Sequence, residues 1–249
     1  MKVSTVRKLN ALNHAFYEDF GREFSRSRMV LQPGILRALS LLGSFESFLD
    51  LGCGDGRVGR ALLHGQLPGR SSGWRGRYVG IDFSGALLQS VPAGGSGSRL
   101  RMIRADITDP TWVKRAGLQE SSFDAAVLFS LLHHIPSHEL RLEVLETLRF
   151  LLKEGAVCAI SVWQLLHLER FRRKIAAWSA LGMNPSDVEP GDLLVDWRRG
   201  GHGLRYIHHF AREELVRLCA QGGLQVWEEY RSDGQTGDLG LYVLVRKAG

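Results

Sequence analysis

No apolar run in this chain reaches the roughly 20 residues needed to cross a bilayer, and its start carries no charged-then-apolar leader. Membrane insertion and secretion are therefore not expected, and the reading is a cytoplasmic protein. Cysteine is scarce, with three in 249 residues. Cys53, Cys158 and Cys219 are odd in number and widely separated, which argues against disulfides and against a cysteine metal site. They read as small buried hydrophobes, and no metal is expected. No internal repeat is visible. Acidic residues are in deficit: 26 Asp and Glu against 32 Lys and Arg leave a net charge of +6. Such a balance suits a nucleic-acid or other anionic partner.

The rest of the composition, 44% hydrophobic and 23% charged, is that of a globular protein long enough for one substantial core, with or without an appended lobe. Residues 1–43 read as helical, with Val3, Val6, Leu9, Leu12 and Phe16 at mixed three- and four-residue spacing. Pro33 opens the next helix, Ile35 to Leu42, because proline in the first turn forfeits no intrahelical bond. From Phe48 onward strands and helices alternate. Strands are expected at Tyr78–Ile81, Leu100–Arg104, Phe123–Phe129 and Ala156–Val162. Ser84 caps a helix through Gln89, and Ser137 caps another to Leu152. Gly69–Arg77 and Pro92–Arg99 are loops rich in Gly, Ser and Arg. Residues 183–204 break the rhythm with prolines and glycines. A helix at Glu213–Gln221 and strands at Leu224–Tyr230 and Leu239–Val245 close the chain. The alternation argues for an α/β three-layer sandwich.

The densest signal is Phe48-Leu-Asp-Leu-Gly-Cys-Gly-Asp-Gly-Arg57. A short apolar run carrying Asp50 breaks into Gly52, Gly54 and Gly56, then continues as a helix. That is a buried strand ending in a turn whose backbone must approach a ligand closely. Gly54-x-Gly56-x-x-Gly59 also fits a dinucleotide fingerprint, a weak signal alone. The chain has no Tyr-x-x-x-Lys pair, which speaks against a hydride-transfer enzyme. Asp82 ends the second strand, where it could accept from two ribose hydroxyls. Asp106 and Ile107 follow the third, where a carboxylate could take an adenine amino group and Ile107 pack on the ring. Gly59 reads as a helix–sheet packing glycine.

Taken together, residues 45–247 resemble the class I S-adenosylmethionine-dependent methyltransferases. The resemblance implies a Rossmann-like fold with a seven-stranded, mostly parallel sheet and an antiparallel last strand. It divides the chain into an N-terminal helical extension, 1–44, and a methyltransferase domain, 45–249, with a substrate-covering insert at about 164–210. It assigns Asp50, Gly52, Gly54, Gly56, Asp82, Phe83, Asp106, Ile107 and Ser130 to S-adenosyl-L-methionine. Within that class, Phe24-Ser-Arg-Ser-Arg28, His133-His-Ile-Pro136, Gly191-Asp-Leu-Leu-Val-Asp-Trp197 and Leu204-Arg-Tyr-Ile-His208 are similar to motifs of the tRNA wobble-uridine (5-carboxymethyluridine) methyltransferases. Asp196 stands where that subfamily has proline, and Ile207 where it has an aromatic. The resemblance implies tRNA as substrate, a small activator subunit as a candidate partner, and an acceptor pocket of Arg28, Trp197, Arg205, Tyr206 and His208, with His133 or His134 beside it. An ionised carboxylate acceptor needs no base, only groups that orient it, and arginine's planar fork suits that task. The alternatives are a small-molecule O- or N-methyltransferase, in which a histidine base would matter, and a non-catalytic S-adenosylmethionine-binding regulatory subunit.

Overall fold

The structure is a computed structural model and describes residues 1–26, 30–65, 74–89 and 99–247. Arg28 and most of the two Gly/Ser/Arg loops lie outside the described residues. The main sheet contains β1 (Ser47–Leu51), β2 (Arg77–Asp82), β3 (Leu100–Arg104), β4 (Phe123–Phe129), β5 (Leu152–Trp163), β9 (Leu224–Ser232) and β10 (Gly240–Lys247). Their order across the sheet is β3-β2-β1-β4-β5-β10-β9, with β10 antiparallel to both its neighbours. The order reverses between β1 and β4, and in open α/β sheets the crevice beyond such a switch point is where ligands bind.

Side chains alternate between two apolar layers, as a strand's two-residue period requires. Leu49, Leu51, Val79, Ile81 and Leu128 pack with Trp112 of the short α5 (Trp112–Arg115), Leu145 and Leu148 of α6 (His138–Leu151) and Leu215 and Leu218 of α8 (Arg212–Gln221). Phe48, Tyr78, Ala125 and Val127 face the other way, against α2 (Pro33–Leu41) and α3 (Arg57–Leu63). Helices on both faces make the three-layer α/β sandwich expected. Gly59 of α3 sits hard against the sheet: a Cβ there would fall 2.7 Å from Leu100 and 2.8 Å from Tyr78. The cap of Ser84 on α4 (Gly85–Leu88) and that of Ser137 on α6 form as read, each Oγ accepting a backbone N–H three residues on.

The first 43 residues form two helices as read, α2 and the 24-residue α1 (Val3–Arg26); Leu9 and Phe16 of α1 are buried, but Val3, placed with them on the apolar face, is exposed. A second feature departs further from the sequence reading. The irregular stretch 183–204 holds most of a second sheet: β6 (Ile175–Ala176), β7 (Asp192–Trp197) and β8 (Gly203–His208) pair antiparallel in that order. Its strands escape a period-two reading because both faces are covered. Leu194, Val195, Tyr206 and Ile207 are all buried, with Phe16 and Tyr17 of α1 against one set and Leu9 against another.

Candidate active site

A cleft opens at the carboxyl ends of β1, β2 and β4, beneath α1. The glycine turn after β1 is tied to β2: Gly52 N and Cys53 N donate to Ile81 O (2.8 and 3.0 Å), and Gly54 N donates to Asp82 Oδ2 (2.9 Å). Gly52 (φ +71°) and Gly54 (φ +56°) occupy the left-handed region that favours glycine. A Cβ on Gly52 would lie 2.9 Å from Leu131, whereas one on Gly54 would meet nothing within 4 Å. The turn is therefore packed on one side and leaves room on the other.

The carboxylates here do different jobs. Asp82 accepts from Ser84 N through Oδ1 and from Gly54 N through Oδ2, so it fixes the loop while lining the cleft. Burial pushes its pKa up to about 6, against the pull of those backbone bonds. Asp50 accepts from Tyr78 Oη at 2.5 Å, and burial raises it to about 7. Asp55, also in the lining, is instead paired with Arg57 and Arg60 and accepts from Ser25 Oγ. Asp106 Oδ1 accepts from both Thr108 N and Oγ1, which leaves Oδ2 toward His14 at 3.3 Å.

The cleft brings together Asp50, Gly52, Gly54, Asp82, Phe83, Asp106, Ile107 and Ser130 from the cofactor set. Gly56 is not in the lining; it is the N-cap of α3 and shapes the turn from behind. Ser130 (φ +54°) is held by Trp163, whose Nε1 donates to its Oγ at 2.9 Å.

The acceptor set is placed differently. Tyr206 and His208 do not line the cleft, a correction to the sequence reading. Alternation along β8 turns both toward a buried cluster with Asp192, where Tyr206 Oη donates to Asp192 Oδ1 (2.7 Å) and His208 Nδ1 faces the same oxygen (2.8 Å). His133 is fully buried and accepts from Trp163 N, so it secures the end of β5 instead of facing the cleft. Arg205, 4% exposed, lies behind the wall: its guanidinium stands over the rings of Trp163 (4.7 Å), Phe16 (5.2 Å) and Trp197 (5.4 Å) and bonds Tyr17. Trp197 belongs to this cage, edge-on to Phe16, with Nε1 donating to Arg199 O.

What the sequence reading missed is α1. Asn13 bonds the Tyr206 backbone through both N–H and C=O and donates to His134 O. Tyr17 Oη meets His134 Nε2 at 2.8 Å, and the His14 ring stacks on Phe83 at 4.1 Å. Asn10, Asn13, His14 and Tyr17 all line the cleft. Their three- and four-residue spacing is a polar stripe beside the apolar one, and it was the available signal. Asp233, Gly240 and Tyr242, from the far end of the chain, complete the wall.

Residues 24–229 match a family model described as a methyltransferase domain. The chain belongs to that family, the S-adenosylmethionine-dependent methyltransferases. A protein of Encephalitozoon cuniculi that carries the name of a methyltransferase is 28% identical over 86% of this chain and 87% of its own length. The tRNA (carboxymethyluridine(34)-5-O)-methyltransferase of Xenopus tropicalis is 29% identical over 73% of this chain, which covers only 26% of that longer protein. Among solved structures, a Burkholderia thailandensis 1,6-didemethyltoxoflavin-N1-methyltransferase, with bound 1,6-didemethyltoxoflavin and S-adenosylhomocysteine, superposes with a TM-score of 0.64 over 100% of this chain and 93% of its own, at 17% identity. The fold is thus that of the family, and the site fits its cofactor. Open space over Gly54, and Asp82, Asp106, Phe83 and Ile107 together in the lining, offer the room, acceptor oxygens and apolar surface that such a group would need.

Proposed function

We propose that this methyltransferase esterifies a carboxylate carried by a modified tRNA wobble uridine. The observation that carries the reading is Arg205: a buried guanidinium held in a cage of three aromatic rings, with Trp163 and Tyr17 between it and the cleft. Such a cation, desolvated behind Tyr17 and Trp163, does not touch the acceptor. Its charge makes that side of the cleft favour an anion, and its packing holds the two wall side chains in place. Similarity to the Xenopus enzyme supports the same substrate class, as does the positive charge of the chain. S-adenosylmethionine, when bound, supplies a methyl already activated on sulfur, and an ionised carboxylate takes it without losing a proton. The chain's part is placement: Asp82 and Asp106 hold the nucleoside end, and the glycine turn admits the methionine end. Tyr17 and Trp163 face the acceptor, and Arg205 acts through them from behind the wall. α1, which walls one side of the cleft with Asn10, Asn13, His14 and Tyr17, limits the access of water.

The test is incubation with radiolabelled S-adenosylmethionine and tRNA from a strain lacking the protein, followed by nucleoside analysis. A base-labile methyl ester of 5-carboxymethyluridine is expected. The variant Arg205→Ala should lose turnover while its cofactor Kd, measured on folded protein, stays parental. Parental turnover in that variant, or tRNA inert as acceptor, defeats the reading.

One observation favours a second reading. His134 Nδ1 faces Tyr206 O (3.2 Å), so in the neutral ring Nδ1 carries the hydrogen and Nε2 accepts from Tyr17. That pair could serve as base for a hydroxyl acceptor. In that event a small-molecule hydroxyl is the substrate, His134→Ala costs more than Arg205→Ala, and the rate climbs with pH.

A further inference from the structure

The net positive charge is not spread evenly. α7 (Glu169–Arg172), the residues following it and the tip of the β7–β8 hairpin carry Arg170, Arg172, Arg173, Lys174, Arg198 and Arg199 against Glu169 and Asp196. Six cations against two carboxylates make four of the six net charges of the whole chain. All six cations are exposed, the Arg173 side chain by 76%. The two segments are neighbours in space because β6 pairs with β7, and Asp196 N donates to Lys174 O at 2.8 Å. Both carboxylates are already engaged: Glu169 by Arg172 and Arg173, Asp196 by Arg198 and His202. Arg170 and Lys174 flank the Phe171 ring, at 5.0 and 5.9 Å. Phe171 in turn packs against the apolar cluster of Phe16, Tyr17 and Trp163, of which Tyr17 and Trp163 line the cleft.

From this we infer that the α7–hairpin corner is the docking surface for the phosphate backbone of a single-stranded RNA segment whose neighbouring base enters the cleft. The inference rests on the tRNA reading above and adds the place where the RNA is held. Cations interleaved with an aromatic ring are the pattern that grips single strands, with charge on the backbone and a ring for a base. The continuity of that ring with the cleft wall is what relates the corner to the acceptor site.

The test uses the full chain with S-adenosylhomocysteine and unmodified tRNA as probe, and compares it with the triple variant Arg170→Glu/Lys174→Glu/Arg199→Glu. At 50 mM salt the variant's Kd for tRNA should rise at least tenfold, on the order of what three lost phosphate contacts imply. The slope of log Kd against log salt should become shallower by about 2. Its melting temperature, cofactor Kd and turnover on isolated 5-carboxymethyluridine should stay parental. A variant with parental tRNA Kd and slope overturns the surface, as does a parent that binds no tRNA or prefers phosphatidylserine vesicles. If the parent binds tRNA through this corner yet transfers no methyl to it, the docking surface stands and the reaction assigned above fails. The two ideas are thereby separable.

Discussion

Two groups of buried carboxylates flank α1, and they are treated in opposite ways. On one side, Asp50 and Asp82 are nearly inaccessible and make no ion pair among the described residues. Burial leaves both with raised pKa values, about 7 and about 6. On the other, Asp192 and Glu189 are locked to partners. Arg141, itself 1% exposed, donates to Glu189 Oε2 (2.6 Å), Tyr206 Oη and Ile135 O, while His208 bridges Asp192 and Glu214 at 2.8 and 2.7 Å. Burial works against a charged His208 ring, yet those two carboxylates raise its pKa overall. A buried charge is tolerable when paired and costly when not. The satisfied cluster fastens the small sheet to α6 and α8. The one without ion pairs is held by backbone N–H groups and the Tyr78 hydroxyl, and its remaining lone pairs are left for a molecule that comes from outside. Glu189, Asp192 and His208 stand close enough to hold a cation, but Arg141 already brings positive charge to Glu189 and Tyr206 Oη donates to Asp192.

The comparison breaks most sharply at Arg141. Arg141→Met should leave Glu189 uncompensated and cost about 3–5 kcal/mol, a fall in Tm on the order of 10 °C by thermal unfolding. Cofactor affinity, measured by calorimetry on the folded fraction, should stay within about twofold of parental. A large loss of affinity with little loss of stability would mean that the two clusters have been assigned the wrong way round.

Asp82→Asn should do the reverse. Asparagine has one acceptor oxygen where the carboxylate has two, so it cannot hold Gly54 N and Ser84 N and still meet a ribose. Affinity for S-adenosylhomocysteine should fall on the order of 100-fold, the worth of two hydrogen bonds to a charged acceptor, with Tm changed by only a few degrees. The parent should show the same chemistry through pH. The pKa of about 6 means that the carboxylate is lost below that value, so affinity should weaken up to tenfold per unit as pH drops from 6 to 5. The Asn variant should be flat over that range.

The contrast also explains what could be read from the sequence. Asp50, Gly52, Gly54, Asp82 and Asp106 sit at or just past the ends of short strands, so linear spacing carries them to one sheet edge. The α/β layering was legible from that alternation, and the cofactor reading came from the family resemblance. Arg205, Tyr206 and His208 lie on a strand covered on both faces, where successive side chains go to different places. Spacing cannot say that Arg205 turns to the aromatic cage while Tyr206 and His208 turn to Asp192. Nor could it give the contribution of α1, since Asn13 reaches Tyr206 across 193 positions. Contacts of that range are set by packing, not by local pattern.

The smallest effect is expected at Asp50, and it tests whether the unpaired cluster is retained against stability. Its folded pKa, near 7, exceeds the usual 3.8, chiefly through burial, with the charge of Asp82 adding to it. The folded state therefore binds this proton more tightly than the unfolded chain does, and stability falls as pH rises from about 4 to about 7. An asparagine side chain in its place has no charge to desolvate, and its carbonyl oxygen can still accept from Tyr78. Asp50→Asn should thus raise Tm at pH 8 by a few degrees, on the order of 1 kcal/mol, and leave it nearly unchanged at pH 4, close to the unfolded carboxyl's own pKa. Melting curves at the two pH values decide the matter. An equal loss at both would place Asp50 with Asp192 as a structural carboxylate. A gain confined to pH 8, together with weaker cofactor binding, would show a charge held in the cleft for its ligand at the expense of the empty fold.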